Sequence, residues 1–406
     1  MINMQLKETD EIFIVSGKRS PFGRYLGSLS TMDPVELASM VAKKTLEEVN
    51  QQSDEKFLPD HVFMGNCIPT TFASPSTTGR QVALALGLEG FAITIDTACC
   101  SPLTCLRLAL WGMKAKEIFT ALIIGIDMMS KVPHLLRGIR SGIRAGKVEI
   151  TDPIFPIEYK GYNSVACDAS NGAEKYGIER KMLDEWALGS HQKWFRAMKR
   201  GAFDDEIVPV IIETKGGRKV FEKDEFPRPE STLMRLQELE PVFGSKTTTA
   251  GNAPGLNDGA CAMVIATGSA VKHFGFQPIA RIIEVEGVTD APQGISWVPA
   301  KAISKALEKA GLKIEDMNII EINEAFAAMP LVSTKILAGE DEKKWHRLLS
   351  LTNPNGGAIA IGHPVGASGL RILMTMAYEL RRRGGGRGVC AICGGLSQGE
   401  SVVIEV

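Results

Sequence analysis

Apolar residues recur along this chain in two ways, as short unbroken runs and as longer segments where they return every three or four positions. The first pattern is that of a buried strand and the second that of an amphipathic helix. In the first half, residues 12–16 read as a strand, 17–23 as a turn-rich loop, and 35–49 as a helix with Val35, Leu37, Val41, Leu46 and Val49 on one face. A strand-like segment then ends in Phe63-Met64-Gly65-Asn66-Cys67, and a helix is expected over 76–86. Residues 91–96 read as a strand, Cys99-Cys100-Ser101-Pro102 as a turn, 103–114 as a helix and 119–126 as another buried strand.

The second half repeats that order. Residues 260–266 read as a strand, 300–310 as a helix, and 317–322 as a strand ending in Asn323-Glu324-Ala325-Phe326. A glycine-rich turn around Gly362-His363-Pro364 leads into a helix through Leu380, and the strand 388–392 ends in Cys393-Gly394-Gly395. Asn66 and Cys99 lie 33 residues apart and Asn323 and His363 lie 40 apart; Cys99 precedes Gly125 by 26 and His363 precedes Gly394 by 31. Similar order at similar spacing predicts two duplicated α/β halves packed in layers. The expected division is 1–130 with 201–270 for the first half, 131–200 as an inserted loop and helix region over the active site, and 271–406 for the second half. The insertion includes a long helix expected over 183–200, and a charged, proline-containing loop follows at 224–230.

Four residues stand where chemistry is expected. Cys99 follows a strand and precedes a helix start marked by Pro102, a place where the helix dipole favours a thiolate. His363 occupies the equivalent turn of the second half, so two such turns meeting at a pseudo-two-fold axis would set an imidazole beside a thiol. Cys390 and Cys393 have the CxxC form, but they lie in an apolar strand with no second pair and fall on opposite faces, so no metal site is expected. Asn323-Glu324 ends an apolar strand, where a buried polar pair requires partners and a fixed Asn can hold a water.

These residues carry a resemblance over nearly the whole chain to the thiolase family, of the acetyl-CoA acetyltransferase and 3-ketoacyl-CoA thiolase type. The matching blocks are Asn323-Glu324-Ala325-Phe326, Gly356-Gly357 through Gly362-His363-Pro364 to Gly369, and Cys393-Gly394-Gly395 with Gln398-Gly399. Thr249-Ala250-Gly251-Asn252, Asn257-Asp258-Gly259, Ser190-His191-Gln192-Lys193 and residues 17–23 resemble further family motifs. The resemblance implies a ping-pong reaction on acyl-CoA, in which Cys99 takes the acyl group, His363 takes its proton and Cys393 is the general acid/base. One oxyanion site would be His363 with a water on Asn323, the other the N–H groups of Cys99 and Gly395. Coenzyme A would be a substrate, with no permanently bound cofactor and no metal. Arg228 would contact the CoA adenine, and Phe243 and Phe326 would line the pocket.

The departures lie around the acyl group. Asp96-Thr97-Ala98-Cys99 replaces the usual Asn-Lys-x-Cys and is reminiscent of ketosynthases. Ser164 and Val165 stand where a His-Met pair is usual, and Pro254 stands where a Ser is usual. With the chemical residues kept, the expected substrate is a 3-oxoacyl-CoA with a bulky, branched or aromatic acyl group. The rival readings are a decarboxylating ketosynthase, against which Asn323-Glu324 and Cys393 speak, and a non-catalytic subunit of the same fold. His346, in the charged stretch 341–347, reads as a surface residue.

Composition narrows the remaining classes. The chain has 406 residues, 44% hydrophobic and 23% charged, with 46 Lys+Arg against 47 Asp+Glu. That balance supports neither a disordered chain nor a general affinity for nucleic acid or anionic membrane. The triplet Arg381-Arg382-Arg383 before Gly384-Gly385-Gly386 reads as a solvated helix end. Eight scattered cysteines, no leader-like apolar N-terminus and no run long enough to span a bilayer lead to the expectation of a cytoplasmic protein. The family resemblance implies a homodimer formed through the first half, often paired into tetramers; some divergent members require a small accessory subunit.

Overall fold

The computed structural model describes residues 11–140, 142–143, 145–154, 159–214 and 216–406. Nine main strands follow one another along the chain: β1 (Ile12–Arg19), β2 (His61–Gly65), β3 (Phe91–Ile95), β4 (Thr120–Met128), β5 (Asn257–Thr267), β6 (Ala280–Thr289), β7 (Ile319–Ile322), β8 (Arg387–Gly394) and β9 (Gln398–Glu405). In the first half β1 is antiparallel to β5, β5 antiparallel to β4, and β4 and β3 both parallel to β2. In the second, β6 is antiparallel to β9, β9 antiparallel to β8, and β8 parallel to β7. The same succession of pairings in both halves is the duplication expected from the element order. The two sheets join where Ile12–Ile14 pairs with Ala280–Ile282.

Three apolar clusters make the layers. Strand alternation divides β5 between two of them, with Cys261, Met263 and Ile265 on the central face and Ala260, Ala262, Val264 and Ala266 on the outer one. On β8, Cys390 packs centrally while Cys393 packs outward, the opposite faces that alternation requires. The outer layer of the first half is α1 (Pro34–Asn50), capped by Asp33 Oδ1 on the Val35 amide at 2.8 Å. The central layer holds α2 (Ser101–Lys114) and, late in the chain, the helix Ser368–Arg382, whose residues 368–380 are all buried. A helix buried on every side belongs between two sheets, and this one lies there.

The starts of these two central helices touch. A side chain added at Gly369 would lie 3.0 Å from Pro102 Cγ and 3.1 Å from Leu103 Cγ. This close approach brings the Cys99 turn and the His363 turn to one place. Between β4 and β5 the chain adds α3 (Val165–Lys175), α4 (Arg180–Lys199) and the hairpin Val210–Thr214 with Gly217–Phe221.

Several local features go beyond the apolar pattern. Strands β6 and β9 do not stand out in the apolar pattern because charged residues interrupt them. The charges are paired instead: Arg281 bridges Glu11 and Glu405, and Glu400 receives Arg107. The charged loop 224–230 is anchored inward, not solvated along its length. Arg19, fully buried, binds Asp224 at 2.7 and 3.0 Å and Glu206 at 2.7 Å, and two carboxylates hold its guanidinium firmly protonated against the burial that opposes its charge. The stretch around the exposed His346 is a helix, Glu342–Leu351, that buries Trp345 and Leu348.

Candidate active site

Cys99 sits in a tight turn between β3 and α2. Ala98 is held at φ +52°, a left-handed conformation that costs a non-glycine residue energy and concentrates at functional turns. The turn is pinned by three bonds: Ala98 N donates to Asp96 Oδ1 at 2.9 Å, Thr97 N to Ser101 Oγ at 2.9 Å, and Ser101 Oγ to Ala98 O at 2.6 Å. The neighbouring thiol of Cys67 donates to Ala98 O at 2.8 Å. Burial pushes the Cys99 thiol up to about 12, outweighing the favourable hydrogen bond from its own backbone amide, and Asp127 and Asp96 add to the rise. At rest Cys99 is therefore a thiol.

His363 follows Gly362, whose φ of +101° and packing against the Asn257 side chain leave no room for a Cβ. Asn257 ties this turn to the first half, accepting from His363 N at 3.0 Å and donating to Gly23 O at 2.9 Å. The imidazole Nδ1 lies 2.6 Å from Ser368 Oγ, and Ser368 donates its one proton to Pro364 O at 2.9 Å. Ser368 must then accept from Nδ1–H, which leaves Nε2 with the free lone pair. Nε2 is buried and has no partner among the described residues. Burial, helped by the Arg371 charge, depresses His363 to about 3, so the ring is neutral.

Cys393 ends β8 at full burial, which raises its thiol well above the ordinary value. Asn323 ends β7, its backbone N donating to Ala391 O at 3.0 Å. Its Oδ1 accepts from Arg371 at 3.4 Å, while its buried Nδ2 has no partner among the described residues. An amide donor left open in this way can hold a water or an oxyanion. Glu324 meets the requirement for partners: it accepts from Trp186, Ser190, Asn353 and the Ile359 amide at 2.7–3.1 Å.

One cavity of about 400 Å³ collects the sequence candidates. Cys99, His363, Cys393, Gly395, Arg228, Phe243, Ser164, Pro254 and Phe326 all line it, and Asn323 does not. The Ser164 hydroxyl is already engaged, capping α3 at the Cys167 amide (3.3 Å) and donating to Phe243 O at 3.0 Å. Arg228 lies over the Phe226 ring, and its backbone amide donates to His191 Nδ1 at 3.2 Å. Among the described residues no group of His, Cys, Asp or Glu could hold a metal ion, and no helix is long and apolar enough to cross a membrane.

Sequence reasoning missed three residues. Asp127, fully buried on β4, accepts from Asn66 Nδ2 (2.7 Å), Ile68 N (3.0 Å) and Gly366 N (2.6 Å), clamping a first-half loop to the His363 turn. A lone acid inside an apolar strand was the available signal. Ser368 was legible only as part of a motif. Tyr159, which also lines the cavity, has no local signal at all.

The duplicated α/β architecture and the comparisons with known proteins define an acyltransferase. The thiolase N-terminal domain family model matches residues 12–269 and the thiolase C-terminal domain model matches 276–406. The human mitochondrial 3-ketoacyl-CoA thiolase is 38% identical over 402 residues, 97% of this chain and 98% of its own length. The β-ketoadipyl-CoA thiolase of Pseudomonas knackmussii is 36% identical, covering 97% of this chain and 99% of its own. The crystal structure of the human mitochondrial enzyme in complex with CoA superposes with a TM-score of 0.89 at 36% identity, over 98% of both chains. This chain belongs to the thiolase family, of the 3-ketoacyl-CoA thiolase and acetyl-CoA acetyltransferase type. Coenzyme A is a substrate of such an enzyme and not a resident cofactor. The cytoplasmic expectation is overturned, because the human relative and its bovine and rat counterparts are mitochondrial enzymes. Free thiols report a reducing compartment, and they do not distinguish the cytosol from any other such compartment.

Proposed function

We propose that this enzyme cleaves a 3-oxoacyl-CoA with CoA, or runs the reverse condensation, through an acyl group carried on Cys99. The observation that carries this reading is the presence of Cys99, Cys393 and a neutral His363 with a bare Nε2 around one cavity. In cleavage, His363 Nε2 takes the Cys99 proton as sulfur attacks the 3-oxo carbon. The C2–C3 bond breaks, the enolate leaves, and Cys393 protonates it at carbon; CoA thiol, losing its proton to Cys393, then releases the acyl group from Cys99. Because thiol and imidazole are both neutral at rest, the proton moves with the attack and not before it. The amides of Cys99 and Gly395 would hold the oxyanion formed at the attacked carbon, and a water on Asn323 with His363 would hold the enolate oxygen. Arg228 would contact the adenine end of CoA.

The acyl group is bulky, branched or aromatic, and neutral. Met129, Leu256, Ile295, Phe326 and Val365 form apolar wall, and among the described residues Arg228 is the one permanently charged side chain at the cavity. A second carboxylate would find no cation near Cys99, which speaks against a dicarboxylic acyl group. Intact-protein mass spectrometry with peptide mapping, followed by kcat/KM over straight, branched, aromatic and dicarboxylic 3-oxoacyl-CoAs, tests both parts. Acylation of Cys99 with a preference for a branched or aromatic chain is expected. Acetoacetyl-CoA as the best substrate would overturn the acyl assignment, and acylation elsewhere would overturn the nucleophile.

The assembly is a homodimer through β3, an edge strand paired only with β2, with Phe91 63% exposed and Leu84 and Trp111 also bare. Sedimentation as a monomer at micromolar concentration would refute it. Activity of the chain by itself would remove any need for an accessory subunit.

A further inference from the structure

One polar group at the cavity is not used by the roles above. Tyr159 precedes α3 and lines the cavity together with Cys99, Cys393 and Gly395. A Cβ placed on Gly395 would collide with the Tyr159 hydroxyl and stand 2.7 Å from its Cζ, so the phenol is pressed against the glycine backbone. Any residue larger than glycine at 395 would have to displace the ring above it. The backbone carbonyl of Tyr159 accepts from Tyr162 N at 2.9 Å, which fixes the turn that carries the ring. No hydrogen bond among the described residues uses the hydroxyl. A phenol at the mouth of a reactive cavity ordinarily finds a partner, and the oxygen of a bound acyl group would supply one.

We propose that the Tyr159 hydroxyl is a third donor to the carbonyl oxygen of the group attacked by Cys99, acting beside the Gly395 amide. The position is the argument: the hydroxyl touches the residue whose N–H would face that oxygen. The chemistry agrees. Burial, and then the negative charge that Cys99 would carry as a thiolate, hold the phenol up at about 12, so it keeps its proton and can donate throughout the working range. Donors aimed at a developing oxyanion in a dry site act on the transition state more than on the bound substrate. An effect on kcat with little change in KM follows.

This inference rests on the acyl-Cys99 reading, and the experiment separates the two. Single-turnover acylation of Cys99 would be followed by mass spectrometry in the parent enzyme and in Tyr159→Phe, with each 3-oxoacyl-CoA of the panel. The acyl-enzymes would be compared by the infrared band of a carbon-13-labelled thioester carbonyl. The expected result is acylation slowed by roughly 10- to 100-fold for every chain, KM nearly unchanged, and the carbonyl band at higher wavenumber in the variant. Unchanged rates with an unmoved band overturn the proposal. A loss confined to one acyl type, again with an unmoved band, also overturns it, leaving Tyr159 as a wall of the pocket. Tyr159→Phe keeps the ring, so an unfolding temperature equal to the parent's shows that the comparison is made on a folded enzyme. A parent enzyme never acylated at Cys99 is a distinct outcome, which removes the functional reading and the donor role with it.

Discussion

At the scale of single residues, the central fact is the protonation state of His363. A neutral ring with Nδ1–H on Ser368 and an open Nε2 is a base without further rearrangement. Removing the acceptor frees the tautomer, so Ser368→Ala is expected to slow Cys99 acylation by roughly 100-fold, the low end of what a positioned base contributes. Ser368→Thr, which keeps the hydroxyl, should retain most of the rate. Equal rates in all three enzymes would show that the serine does not set the tautomer. The depressed value of about 3 also means that the base form persists as the pH falls from neutral to about 5. The acylation rate should therefore show no acid limb near the ordinary imidazole value of 6.5.

At the scale of elements, the site depends on two helix starts and the strands that aim them. Cys99 is placed by the end of β3, Cys393 by β8 and Asn323 by β7, and the His363 turn is tied to β4 through Asp127 and to β5 through Asn257. Asp127→Ala would leave the Ile68 and Gly366 amides without their acceptor and take one of two acceptors from Asn66 Nδ2, which keeps Ile126 O. A loss of about 3 kcal/mol or more is expected, since each orphaned buried donor costs about 1–3 kcal/mol. Acylation should fall as well, because the loop before Ser368 loses its anchor. Chemical denaturation and single-turnover acylation measure the two effects, and a variant as stable and as fast as the parent would show that the clamp is dispensable. Arg19 is a comparable tie between β1 and the loop before Arg228, but its two carboxylate partners serve position more than stability.

For the whole molecule, the thiols set the response to alkali. Cys67, Cys99, Cys100, Cys105, Cys261, Cys390 and Cys393 are all raised above the ordinary value of 9.0, with burial the largest cause for each. The sign follows directly. A folded value above the unfolded one means that the native state keeps its proton while the unfolded chain ionises. Their contribution is thus full below pH 9 and lost as the pH rises through and beyond it. At one unit above 9 each thiol forfeits about 1 kcal/mol, which together rivals the stability of an ordinary domain. The unfolding temperature should fall steeply between about pH 8.5 and about pH 10 under reducing conditions. A flat profile across that interval would mean that the thiols ionise in the native state.

The amino-acid sequence by itself determined the repeated strand and helix order, and it singled out Cys99, Asn323, His363 and Cys393 as candidates, because apolar periodicity and short motifs are local properties. It also placed Cys390 and Cys393 on opposite faces, since a strand alternates whatever it packs against. What lies between β4 and β5 was harder to read. Arg19 and Asp224 look like ordinary charges along the chain, and only the fold shows that they are buried and paired. The balance at Cys99 was likewise decided in three dimensions: a helix start acts over one turn, whereas desolvation depends on everything packed around the sulfur. Tyr159 is the extreme case, because the contact with Gly395 joins residues 236 positions apart. Only tertiary packing creates such a contact, since no pattern along a chain encodes the distance between two loops.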